Sequence, residues 1–135
     1  MSAKRVPLHA FLDAGVPDSV GRALLASGHQ VTFHRDVLPE KTPDQVVAAT
    51  ALNSSAVLVA IDKDMKQIAQ RYGMTPQNDR FERLSVISFC CTEVAAAKRL
   101  EHAMPFVEFE WAFALAKAGR RMWIDIGLHY LKTNR

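Results

Sequence analysis

A chain of 135 residues, 49% of them apolar, has the size of one globular domain and enough material for a real core. A net charge of +3 is too small to argue for nucleic-acid binding by itself. No stretch approaches the roughly 20 apolar residues of a bilayer span, and the opening MSAKRVPLHAFL lacks a signal peptide's length and cleavage site, so the expectation is a soluble, cytoplasmic protein with no membrane partner.

In chain order, residues 6–12 (VPLHAFL) read as a first strand. Pro17 opens an amphipathic segment in which Val20, Ala23, Leu24 and Ala26 recur near helical spacing, and Gly28 is placed to stop it. A short β-rich run, QVTFH, comes next, followed by the polar segment RDVLPEKTPD. A second helix starts at Thr42 or Asp44 and ends at NSS. The run AVLVAI over 56–61 shows no alternation, as expected of a strand covered on both faces of a parallel sheet.

DKDMKQIAQRYG then predicts a third helix, GMTPQNDRFER a loop, and LSVISFC a fourth strand. A helix from Thr92 or Glu93 is expected to break at Pro105 and resume as FVEFEWAFALAKAG, before a final strand within RRMWIDIGLHYLK. The alternation of strands and helices predicts a single-domain, three-layer α/β/α sandwich over residues 1–135 with a mainly parallel sheet and right-handed crossovers. The sequence shows no internal repeat, low-complexity stretch or interdomain linker.

Ligands of such sheets bind outside the C-terminal strand ends, where the strand order reverses. Asp13 follows the first strand, while Asp62 and Asp64 follow AVLVAI. Each aspartate has a plain alternative. Asp62 and Asp64 suit a helix start, Asp44 follows Thr42 and Pro43 at another, and Asp13 is a turn residue before Gly15. Several carboxylates at one sheet edge would repel each other unless a cation sat among them, and oxygen ligands suit Mg²⁺ or Mn²⁺. Such an ion activates water toward a phosphodiester.

Other chemistries have less support. The chain contains no glycine-rich phosphate loop, HExxH or CxxC, and His9, His29, His34, His102 and His129 are scattered, each reading as a surface or satisfied core residue. Adjacent Cys90 and Cys91 make a poor mutual disulfide and read as small hydrophobes. Lys117, Arg120, Arg121, Lys132 and Arg135 fit a solvated basic tail as well as they fit a polyanion contact.

Two blocks, FLDAGVPDSVGRALLASGHQV and TPDQVVAATALNSSAVLVAIDKDMKQIA, resemble the PIN-like nucleases, and especially their short bacterial branch associated with toxin–antitoxin systems. The resemblance is strongest over residues 6–72; the C-terminal half carries none. It implies that Asp13, Asp44 and Asp62 are the catalytic, metal-holding residues, with Asp64 as a supporting ligand and Mg or Mn as the ion. It further implies RNA as substrate and an antitoxin protein as partner. Lys63 is placed to meet a phosphate, or else is a solvated helix residue.

The chain departs from the branch at Ala14 and Gly15, where Glu and Asn are common, at Ala60, where a threonine is usual, and at Met65, where the motif has Phe. Two functions therefore compete: a metal-dependent ribonuclease, acting as a toxin, and a catalytically weakened PIN-like module that binds protein or RNA. A hydrolase with Asp13 as nucleophile is disfavoured by Gly15, where a second aspartate would stand. The broad apolar face of FVEFEWAFALAKAG reads as core or as a homodimer contact.

Overall fold

The computed structural model describes residues 6–61, 74–75, 78–79, 83–117 and 121–133. Strand β1 (His9–Leu12) leads to helix α1 (Asp18–Ala26), β2 (Gln30–Phe33), the one-turn α2 (His34–Val37), α3 (Asp44–Asn53) and β3 (Val57–Ile61). A two-residue pair, β4 (Met74–Thr75) and β5 (Asn78–Asp79), forms its own small antiparallel sheet. Next come β6 (Val86–Cys90), α4 (Glu93–Ala116), β7 (Trp123–Gly127) and β8 (Leu131–Thr133). The main sheet has six strands in the order β2-β1-β3-β6-β7-β8, all parallel except β8, which pairs antiparallel with β7.

Strand alternation divides the core. Leu12, Val59, Ile87, Phe89, Ile124 and Ile126 face one side, under α1 and α4, while Phe11, Leu58, Ala60 and Val86 face the other, where Val47, Ala48 and Ala51 of α3 cover them. Helices on both faces make the predicted mixed α/β sandwich. No helix among the described residues is long and apolar enough to cross a membrane.

Helix α1 ends as its sequence predicts. Gly28 takes a φ of 87°, its N–H bonds Leu25 O at 3.0 Å and the His29 N–H bonds Leu24 O at 3.1 Å, which is a Schellman closure. The same pair of bonds ends α3, from Ser55 to Leu52 at 3.0 Å and from Ala56 to Ala51 at 2.9 Å. There the left-handed position, φ 53°, is held by a serine. A side chain in that conformation is strained, so Ser55→Gly should raise the unfolding free energy by about 0.5–1 kcal/mol, read as a higher urea midpoint at unchanged slope.

His29, just after the first closure, is a satisfied core histidine with its side chain only 2% exposed. Its Nδ1 accepts the Leu8 N–H at 3.1 Å, so the proton sits on Nε2, which donates to Glu108 Oε2 at 2.8 Å. One imidazole thus ties the approach to β1 to the middle of α4.

Four expectations change. The first strand begins at His9 rather than Val6, and the polar segment after β2 contains α2. Helix α4 runs through Pro105 without a break: the proline is exposed, so the Glu101 carbonyl that loses its partner lies toward water. The C-terminal apolar run forms two strands, since a bend at Leu128 and His129 turns the chain back on β7. The helix expected over 62–73 lies outside the described residues.

Handedness also differs from expectation in one place. Helix α1 carries the chain toward the β2 edge, α3 carries it back across the opposite face, and both connections have one hand. Helix α4 packs on the same face as α1 but leads toward the β8 edge, so β6–α4–β7 has the opposite hand to those two connections, and the three cannot share the one hand expected. Side-chain chemistry accounts for it. On α4's face β6 and β7 present Ile87, Phe89, Ile124 and Ile126, whereas their other face mixes Val86 and Trp123 with the polar Ser88 and Asp125.

Candidate functional site

The chain leaves β1 for β2 on one side and returns to β3 on the other, so the strand order reverses between β1 and β3. Their C-terminal ends form the crevice where such sheets bind ligands. Asp13 stands there, 9% exposed. Its N–H bonds Val59 O at 2.9 Å, continuing the β1–β3 ladder one residue past Leu12, and its carbonyl accepts the Val16 N–H at 3.0 Å. That turn brings Gly15 over the end of β3, where a Cβ would lie 3.6 Å from Ile61 Cγ2.

Asp44 is the first residue of α3, behind Pro43, and is half-buried. Because α3 starts from the β2 side and returns to the start of β3, Asp44 lies at the same sheet edge as Asp13, and its charge suits the positive end of the helix. Asp62, Lys63 and Asp64 lie outside the described residues; what the structure places is Ile61, the end of β3, directly beside β1. Among the described residues no three His, Cys, Asp or Glu side chains are grouped to hold a metal ion. The pairing of Leu12 with Val59 puts Ala60 level with Asp13, fully buried and without a hydroxyl to offer it.

On the other side of Asp13 opens a cleft of about 520 Å³ between the ends of β1 and β2, walled by Leu12, Val16, Phe33, His34, Leu38 and Pro39. His34 is 4% exposed and meets Phe11 edge-on, with centroids 6.4 Å apart and planes at 69°. Neither ring nitrogen has a hydrogen-bond partner among the described residues. At the mouth, Arg35 grips Asp18 with both terminal nitrogens, at 2.8 and 3.2 Å, and its guanidinium carbon stands 4.5 Å from the Phe33 centroid. The hydrogen bonds from Arg35 hold the Asp18 carboxyl below the usual carboxylate range, and Asp18 in turn raises Arg35. Gly21 makes room for this stack, because a Cβ there would stand 2.7 Å from Phe33 Cζ.

His34, Arg35 and Asp18 are absent from the sequence reading of the site. The signal was present, since His34 is the last residue of the β-rich run QVTFH and stands directly after β2, as Asp13 stands directly after β1. The rule that singled out Asp13 applies equally to it.

A second polar group lies farther along the sheet. Asp125, 1% exposed, accepts the Trp123 Nε1–H at 3.0 Å beside buried Ser88. The Tyr130 ring covers Gly127, and the neighbouring Cys90 thiol raises the phenol. Cys90 and Cys91 are free thiols, and burial pushes the Cys91 thiol up, away from the thiolate a nucleophile or metal ligand requires.

No family model matches the chain, and neither does any curated protein or solved structure.

Proposed function

We propose that this chain is a PIN-like, metal-dependent ribonuclease acting at the C-terminal sheet edge between β1 and β3, as a cytoplasmic toxin restrained by an antitoxin protein. The observation that carries the reading is Asp13: a nearly buried carboxylate at the strand-order reversal, beside the strand that leads into Asp62. Oxygen donors from Asp13, Asp44, Asp62 and Asp64 suit Mg²⁺ or Mn²⁺, and Asp13 and Asp44 share an edge. The ion, when bound, supplies an activated water and offsets charge on the phosphoryl group. The chain's own residues would hold that ion, orient the RNA strand across the crevice and, through Lys63, meet a phosphate. A second copy of the chain would meet the exposed side of α4, where Phe109 is 63% and Leu115 51% exposed.

The competing reading, a binding module with a weakened acidic site, draws on Ala60, which stands level with Asp13 and offers it no hydroxyl. Loss of such an outer partner typically costs about 10–100-fold in affinity or activity. A fluorogenic single-stranded RNA separates the two. The ribonuclease reading expects cleavage with Mg²⁺ or Mn²⁺ that stops with chelator and returns on adding excess metal. RNA binding without cleavage under any divalent ion would favour the module.

A further inference from the structure

We propose that the cleft beside Asp13 is a single-nucleotide subsite, in which a base unstacked from single-stranded RNA lies on the Arg35 guanidinium and presents its edge to His34. The inference deepens the ribonuclease reading and rests on it for the choice of RNA as ligand.

The platform exists before any ligand arrives. Arg35 is held flat from two directions, by the two-pronged bond to Asp18 and by the Phe33 ring beneath it. Its side chain is nevertheless 61% exposed, so a guanidinium face is open to a further planar group. Single-stranded RNA is read by splaying a base out and stacking it on an aromatic or guanidinium plane. The positive charge of Arg35 is already matched by Asp18, and Asp13 and Glu40 also line the cleft. A base fits these surroundings better than a free phosphate does.

His34 supplies the second element. Its ring lies on the cleft wall, 96% of the residue is buried, and its nitrogens have no partner among the described residues. Those nitrogens are not sealed from water, so a ligand in the cleft can reach them, and an imidazole ring can both donate and accept, the combination a base edge satisfies. Leu12, Val16, Leu38 and Pro39 give the apolar surroundings a base prefers to water. A volume of about 520 Å³ falls within the range of small-ligand sites, and a base paired and stacked in a duplex would first have to leave its stack to enter.

Register links this pocket to the chemistry. Leu12 pairs with Phe33 across strands whose backbones run roughly 4.8 Å apart, and Asp13 and His34 are the next residue after each. A nucleotide seated on Arg35 therefore has its sugar and phosphate beside Asp13.

The test is fluorescence anisotropy of a short labelled RNA with the full chain in chelator, where cleavage is silent. Comparison is with an abasic RNA of the same length and with a base-paired hairpin. The single strand should bind roughly 10-fold more tightly than either, as loss of one stacked base implies. Arg35→Lys, which keeps the charge but not the plane, and His34→Ala should each remove most of that margin while leaving abasic binding unchanged. Equal affinity for abasic and intact RNA overturns the proposal, as does no binding at all, or an unchanged margin in Arg35→Lys, a surface variant that does not endanger the fold. Base-dependent binding without divalent-dependent cleavage would instead remove the ribonuclease reading and leave the subsite standing.

Discussion

Asp13→Asn should reduce divalent-dependent RNA cleavage by about 100-fold or more, with little change in folding. The substitution keeps the side chain's size and leaves untouched the backbone bonds that Asp13 makes to Val59 and Val16, so the β1–β3 crevice keeps its shape. What disappears is a negative charge at the strand-order reversal, where a divalent ion would need it. Single-turnover cleavage at saturating Mn²⁺ measures the loss, and a urea titration of the same sample checks the fold. Undiminished cleavage by the variant, in a preparation that chelator also fails to silence, would mean the activity belongs elsewhere.

The second large effect concerns stability. His29→Ala should lower the unfolding free energy by roughly 3 kcal/mol, seen as a fall of about 10 °C in Tm. The imidazole fills a buried position and satisfies the Leu8 N–H, which alanine would leave without an acceptor. The Glu108 contact across to α4 is lost as well. His29→Asn provides the internal control: its Oδ1 can take the place of Nδ1 toward Leu8 while the reach to Glu108 is lost, so a cost of only about 1 kcal/mol is expected. Equal losses in the two variants would show that packing, and not the Leu8 bond, sets the effect.

The fold was largely legible because its determinants are local. The non-alternating AVLVAI signals a strand covered on both faces, and Gly28 signals a left-handed helix closure. Pro105 misled because proline's penalty depends on which side of the helix it occupies, and the sequence does not say that its side faces water. The hand of the β6–α4–β7 connection was equally hidden, since it depends on which face of two strands is aliphatic once they pair. Asp13 and Asp44 emerged at the predicted edge because strand polarity in an α/β fold fixes where strands end. His34 escaped because a histidine's role is set by whether its nitrogens find partners, and that depends on residues distant in sequence.

The sheet's two edges have a consequence for how copies of this molecule can associate. Strand β7 is buried throughout and would present an open apolar margin, but β8 covers it with three residues, Lys132 among them. At the far margin β2 is four residues long, confined between the turn at Gly28 and helix α2. Short margins, with a lysine on one of them, resist the strand-to-strand joining that propagates indefinitely. Pairing of two chains is thereby left to helical surfaces, where two-fold contact closes on itself and does not grow into fibres.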